Sequence, residues 1–121
     1  VLTTPNGYVE ILPVSVTALE TQNIENTVLN TFVLLQNFPN PFNPVTSISY
    51  HLTSASTVAI TIYDIMGNVV RNLFSGIDGP GHKNINWDAN NNNGDLVISG
   101  MYFYKLQVGE SFEIKRMMYL K

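Results

Sequence analysis

The chain contains no cysteine, which excludes both a disulfide framework and a thiolate metal site. Charge is also scarce. Only 12% of the 121 residues are charged and the formal net charge is -3, so no basic field exists to draw the chain onto a phosphate backbone, and nucleic acid is not an expected partner. No apolar run approaches the ~18 residues needed to span a bilayer as a helix. Residues 1–44 carry Glu10, Glu20 and Glu25 without a single lysine or arginine, while Lys115, Arg116 and Lys121 sit in the last seven positions. The two histidines, His51 and His82, stand at metal-ligand spacing neither from each other nor from a carboxylate cluster. With no G-x-S-x-G elbow, glycine-rich phosphate loop or H-E-x-x-H, the sequence offers no catalytic constellation and implies no cofactor. The chain starts at Val1 without a charged-then-apolar leader, the expectation for a terminal module of a longer protein.

What is present is β-forming. Hydrophobic residues make up 45% of the chain, with many Thr, Val, Ile and Tyr among them. Thr46 to Leu52 alternates with Ile48, Tyr50 and Leu52 on one face, and Thr57 to Asp64 repeats the pattern with Val58, Ile60 and Ile62 inward. Tyr63 and Phe103 fall on the faces opposite the core positions. Asp64 to Asn68, "DIMGN", supplies turn chemistry before a return strand over Val69 to Phe74. Three glycines and a proline in Ser75 to His82 predict a loop. Lys83 to Asp88 follows with Ile85 and Trp87 inward, and Gly100 to Val108 and Ser111 to Leu120 form a final pair joined at Gly109-Glu110. Seven strands from Phe32 onward, with no amphipathic helix, predict an all-β antiparallel sandwich of two facing sheets. Upstream, residues 1–16 read as an edge strand or the remnant of an upstream domain, residues 17–31 as a polar, acidic linker, and residues 32–121 as the sandwich.

Two features invite a chemical reading. Asp88, Asn90, Asn92 and Asp95 place oxygens in the loop "DANNNNGD", a weak calcium candidate whose glycine and carboxylate spacing misses an EF-hand; an Asx-rich turn that satisfies its own backbone is the simpler account. Trp87 with Tyr50, Tyr63, Tyr102 and Tyr104 could form a sugar-stacking platform, but Trp87 alternates in phase with Ile85, which places it in the core.

The stretch "QNFPNPFNPVTSISYHL", residues 36–52, holds three of the six prolines. Each proline restricts its own φ and biases the residue before it toward extended backbone, so the segment reads as a stiff strut, with Phe38 and Phe42 pinned to the sandwich. Taken in order, Pro39-Asn40-Pro41-Phe42-Asn43-Pro44, Tyr63-Asp64 with Gly67, Gly81-His82, Trp87-Asp88, Ser99-Gly100-Met101-Tyr102 with Tyr104, and a basic last strand resemble the type A C-terminal sorting domain of the type IX secretion system. That family's fold is similar to the Ig-like domain of flagellar hook-capping proteins. The resemblance covers Leu34 to Lys121. It departs at Ala89, where glycine is frequent, and in the longer asparagine run.

The resemblance implies a Gram-negative, non-enzymatic export signal that is itself a folded, Ig-like domain. Cargo carrying it reaches the periplasm, crosses the outer membrane through machinery that recognises the domain, and is secreted or held at the cell surface. A surface sortase commonly removes the domain and transfers the cargo to anionic lipopolysaccharide, which would put the cut in the linker. The sorting and recognition candidates are Pro39, Asn40, Pro41, Phe42, Asn43, Pro44, Gly100, Tyr102, Lys115, Arg116 and Lys121. Lys115, Arg116 and Lys121 go with a last strand expected to present an unpaired edge, where they either add charge for a partner or only discourage edge aggregation; starting a strand and filling the core account equally for Gly100 and Tyr102. A monomer is expected, with the secretion machinery, the sortase and the upstream cargo as partners. The rival readings are an Ig-like structural module of an extracellular or hook-type assembly and a carbohydrate-binding module of a secreted hydrolase.

Overall fold

A computed structural model describes residues 32–121; the strand or remnant expected over 1–16 and the linker over 17–31 lie outside the described residues. Seven antiparallel strands run β1 (Phe32–Leu34), β2 (Thr46–Leu52), β3 (Ser56–Tyr63), β4 (Val69–Asp78), β5 (Gly81–Trp87), β6 (Gly100–Val108) and β7 (Ser111–Tyr119). They form a three-stranded sheet in the order β1-β2-β5 and a four-stranded sheet in the order β4-β3-β6-β7. This is the two-sheet antiparallel sandwich that the alternation predicts and the Ig-like fold that the resemblance implies. The period of two sends Ile48, Tyr50 and Leu52 of β2 into the same core as Val58, Ile60 and Ile62 of β3 and Tyr102, Tyr104 and Leu106 of β6. Ile85 is only partly buried against that core.

The turns follow local chemistry. Between β3 and β4 the Asp64 carboxylate accepts the amides of Met66 and Asn68, both at 2.9 Å, while Gly67 takes φ +86°, a conformation that costs other residues a Cβ clash. The Asp64 carboxyl is held below its usual range, chiefly by the Asn68 amide. The region from Ser75 to His82 is not the loop that its glycine content predicts. Ser75–Asp78 continue β4, paired to Ala59–Ser56 of β3, and Gly81 and His82 already belong to β5, so only Gly79 and Pro80 break the two strands. The ladder satisfies these backbone groups, and Gly76 keeps pairing at φ +151°, opposite Val58. Glycine here accommodates an irregular strand instead of ending it.

At one end of the core the aromatic side chains form a chain across the sandwich. Trp87 meets Tyr102 edge-on at 5.5 Å and Phe42 at 5.7 Å, and Phe42 stacks on Tyr119 at 5.2 Å. Such pairs add ~0.5–1.5 kcal/mol each beyond their burial. The buried indole N–H of Trp87 is satisfied by the carbonyl of Asn90 at 2.9 Å.

Candidate functional site: the latched strut and the terminal strand

Residues 35–38 continue alongside β2 beyond the end of β1. Leu35 N–H donates to the Ser49 carbonyl, and Phe38 and Ser47 exchange both backbone bonds at 3.0 and 2.8 Å. The chain then leaves β2 and crosses to the other sheet. Asn37 is buried and fully used: its side-chain amide donates to Thr46 Oγ1 and to the Pro39 carbonyl, and its Oδ1 accepts from Gln36. Thr46, buried in the inward phase of β2, donates its own hydroxyl hydrogen bond to the Pro39 carbonyl at 2.9 Å. The Tyr104 hydroxyl of β6 accepts the Asn37 amide at 2.9 Å and donates to the Leu35 carbonyl at 2.8 Å. Burial pushes that hydroxyl up to about 12, against the opposing effect of the Asn37 hydrogen bond.

Further along, the strut is latched onto the outer edge of β7. Gln36 Nε2 donates to the Arg116 carbonyl, Asn40 Oδ1 accepts the Met118 amide, Phe42 N–H donates to the Met118 carbonyl, and Leu120 N–H donates to the Phe42 carbonyl, at 2.8–3.1 Å. Phe42 is buried to 2% exposure, whereas Phe38 is 79% exposed. The expectation that both phenylalanines pin the strut therefore holds for Phe42 alone; Phe38 is placed outward by the alternation along its pairing with β2. Pro39, Asn40, Pro41, Asn43 and Pro44 are exposed, and the Phe38–Pro39, Asn40–Pro41 and Asn43–Pro44 bonds are cis.

The edge of β7 is therefore not open along its whole length, as the sequence suggests. Both backbone groups of Met118 turn toward the strut, so the even-numbered residues of β7 point their amides away from β6. From Arg116 O onward that edge is occupied. Toward the other end, the outward groups of Phe112 and Ile114 and the Arg116 amide meet no partner among the described residues. Lys115 pairs with Glu113 at 3.4 Å on the same strand, Arg116 is exposed, and the Lys121 amide donates to Ser99 Oγ. Gly100 opposes Tyr119 at φ +153°, and Tyr102 is buried with its hydroxyl on the Ile98 carbonyl. Both of these are built into the fold, and burial raises the Tyr102 hydroxyl above its ordinary value.

The asparagine loop uses its oxygens internally. Asp88 Oδ1 accepts the Asn90 amide, Asn91 Oδ1 accepts the amides of Asn93 and Asp95, and Asn92 Oδ1 accepts the Asn72 amide. With the Asn92 amide on the Val70 carbonyl, the loop covers part of the free edge of β4. Among the described residues, no group of three or more His, Cys, Asp or Glu could hold a metal ion. The two histidines are not apart, as their sequence positions suggest: they oppose each other on β2 and β5 with ring centroids 4.5 Å apart. Tyr63 and Phe103 also oppose each other, on the outer face of the four-stranded sheet, beside a depression of about 520 Å³ that Ile65, Lys105 and Ile114 help to line.

A profile for the FlgD Ig-like domain matches residues 43–111, more than half of the chain. The chain belongs to the FlgD Ig-like domain family. No curated protein matches it. Among solved structures, this Ig-like domain is similar to dimeric latent PorU from Porphyromonas gingivalis, with TM-score 0.61 and 22% identity over 74% of this chain and 9% of PorU. PorZ, an essential bacterial surface component of the type IX secretion system of the same organism, is similar at TM-score 0.49 and 19% identity, over 77% of this chain and 12% of PorZ. At such identities the likeness is one of fold. Residues 36–42 of the strut and nearly all of β7 lie outside the matched span of the FlgD Ig-like domain.

Gln36, Asn37, Thr46 and the Tyr104 hydroxyl had no place in the sequence reading. One signal could have found Thr46: it is the polar residue in phase with Ile48, Tyr50 and Leu52, so it is buried and needs a partner.

Proposed function

We propose that this domain is an export signal of the type IX secretion class, which directs an attached cargo across the outer membrane to the cell surface or the medium. One observation carries the reading. The two motif segments of the sorting family that it resembles, about 80 residues apart in the chain, meet along one edge, where the strut is latched to β7. Their buried members hold the fold. Their exposed members, Phe38 to Pro41, Asn43, Pro44, Arg116 and Lys121, line a rigid surface whose shape is independent of the cargo. Membership of an Ig-like family and the fold shared with PorU support an autonomous, non-catalytic module. The secretion machinery is its partner; a surface sortase that cuts within residues 17–31 and anionic lipopolysaccharide as acceptor of the cargo complete the reading.

The test fuses residues 32–121 to a folded periplasmic reporter in a bacterium that has this secretion system. The reporter is expected outside the cell, and Phe38→Ala with Lys121→Glu is expected to cut export about tenfold, the effect of losing ~1.4 kcal/mol of contact, with an unchanged circular dichroism spectrum. A folded fusion that stays in the periplasm overturns the reading. Removing Lys115 to Lys121 is a poorer test, because Met117 and Tyr119 would leave the core and failed export would report unfolding. Family membership also favours a second reading, an Ig-like structural module of an extracellular assembly; such a module carries no reporter across the membrane.

A further inference from the structure

The open half of the β7 edge has a self-complementary sequence. Its residues are Phe112-Glu113-Ile114-Lys115-Arg116, bounded on one side by the Gly109-Glu110 turn and on the other by the strut on Arg116 and Met118. We infer that this window pairs with the same window of a second copy of the chain, antiparallel about a two-fold axis at Ile114, and so joins two four-stranded sheets edge to edge. The inference does not depend on the export reading, and it departs from the monomer that the sequence suggests.

The backbone sets the first condition. Phe112 and Ile114 direct N–H and C=O groups outward, with no partner among the described residues, and they expose large apolar side chains at 57% and 48%. An unpaired edge of this kind is a template for another strand. Because only even-numbered residues face outward, Ile114 would exchange both hydrogen bonds with its symmetry mate, and the Arg116 amide of the second copy would donate to the Phe112 carbonyl, the Arg116 carbonyl already accepting from Gln36. The remaining cross-strand pair, Glu113 with Lys115, then falls in a non-hydrogen-bonded position, where facing side chains approach most closely.

Charge selects this register over its neighbours. A two-fold axis at residue 113 would set Glu113 against Glu113, and one at residue 115 would set Lys115 against Lys115; like charges directly opposite are destabilising. Centred on Ile114, the pairing makes two Glu113–Lys115 pairs and places each Arg116 guanidinium beside a Phe112 ring. Phe112 already attracts a cation in the single chain, with Lys105 Nζ 4.9 Å from its centroid. The strut enforces the length: Gln36 and Asn40 occupy β7 from the Arg116 carbonyl onward, so a longer overlap is blocked. A five-residue window buries too little area for a permanent dimer, and weak, concentration-dependent association is expected.

Charge exchange tests this on the 121-residue chain. Sedimentation equilibrium up to about 1 mM is expected to give a monomer–dimer equilibrium. Glu113→Lys and Lys115→Glu, each alone, place like charges opposite each other and are expected to weaken self-association about tenfold or more. The two variants mixed in equal amounts regain opposite charges at both pairs and are expected to associate as the unaltered chain does, as is the double variant. This rescue also reports that the variants are folded. A chain that stays monomeric at the highest concentration overturns the proposal, as does association that the single substitutions leave unchanged or that mixing fails to restore.

Discussion

Ala89 is fully buried and holds φ +64°, a left-handed conformation that costs a residue with a Cβ ~1–2 kcal/mol. The family that the chain resembles commonly has glycine there, and the geometry gives the reason. Replacing Ala89 by glycine would relieve that strain, but it would give up ~0.8 kcal/mol for one buried carbon and ~0.5–1 kcal/mol of backbone entropy. These effects nearly cancel, so Ala89→Gly is expected to change the unfolding free energy by less than ~0.5 kcal/mol. Ala89→Val combines a β-branched side chain at positive φ with overpacking and is expected to cost ~3 kcal/mol or more. Urea unfolding of both variants checks the pair, and a gain above ~1 kcal/mol for glycine would show that the Ala89 methyl contributes nothing.

Between strut and β7, two phenylalanines four positions apart have opposite fates. Phe42 lies between Trp87 and Tyr119, and Phe42→Ala is expected to lower stability by ~3–5 kcal/mol. Phe38 is solvent-exposed, and Phe38→Ala is expected to stay within ~0.5 kcal/mol. Equal losses in urea denaturation would refute this account of the strut. The contrast also marks what a sequence can disclose about an element. The strands β2, β3 and β6 were legible, because alternation is local and Val58, Ile60 and Ile62 advertise their face. The strut was legible as stiff but not as latched, since its partners Met118 and Leu120 are distant in sequence. Its covering of half the β7 edge follows from tertiary pairing that no local pattern encodes. Ser75–Asp78 misled for the opposite reason: local glycine chemistry predicts a loop, and the ladder to β3 overrides it. The histidine pair was hidden by register, which no spacing along one strand reveals.

Tyrosine hydroxyls and one carboxylate tie together the two sheets of residues 32–121, and this gives the stability of the molecule a defined pH profile. Tyr50 of β2 donates to Asp78 of β4 at 2.8 Å, and Lys83 of β5 lies 3.3 Å from the same carboxylate. The Tyr50 hydrogen bond, helped by Lys83, holds the Asp78 carboxyl below its ordinary value. Burial, followed by Asp78, raises the Tyr50 hydroxyl, and burial raises Tyr104, beside the strut, to about 12. A depressed acid stabilises the fold above its unfolded value of ~3.9, and that contribution is lost as pH falls through the folded value. A raised phenol has its full effect below its unfolded value of ~10, and the effect is lost as pH climbs through the folded value. Urea midpoints are therefore expected to be level from about pH 5 to 9, to fall in acid below ~4, and to fall in alkali from ~10 to beyond 12. Asp78→Asn should flatten only part of the acid limb, because the Asp64 carboxyl is also depressed. Tyr104→Phe leaves the part-buried Leu35 carbonyl and the buried Asn37 amide without their partner, a loss of ~1–3 kcal/mol at neutral pH. The same variant removes one group from the alkaline limb, so its midpoint should converge on that of the unaltered chain as pH rises above ~10. Parallel curves at all pH values would mean that the Tyr104 hydroxyl does not ionise more readily on unfolding, and its tie between the sheets would have to be abandoned.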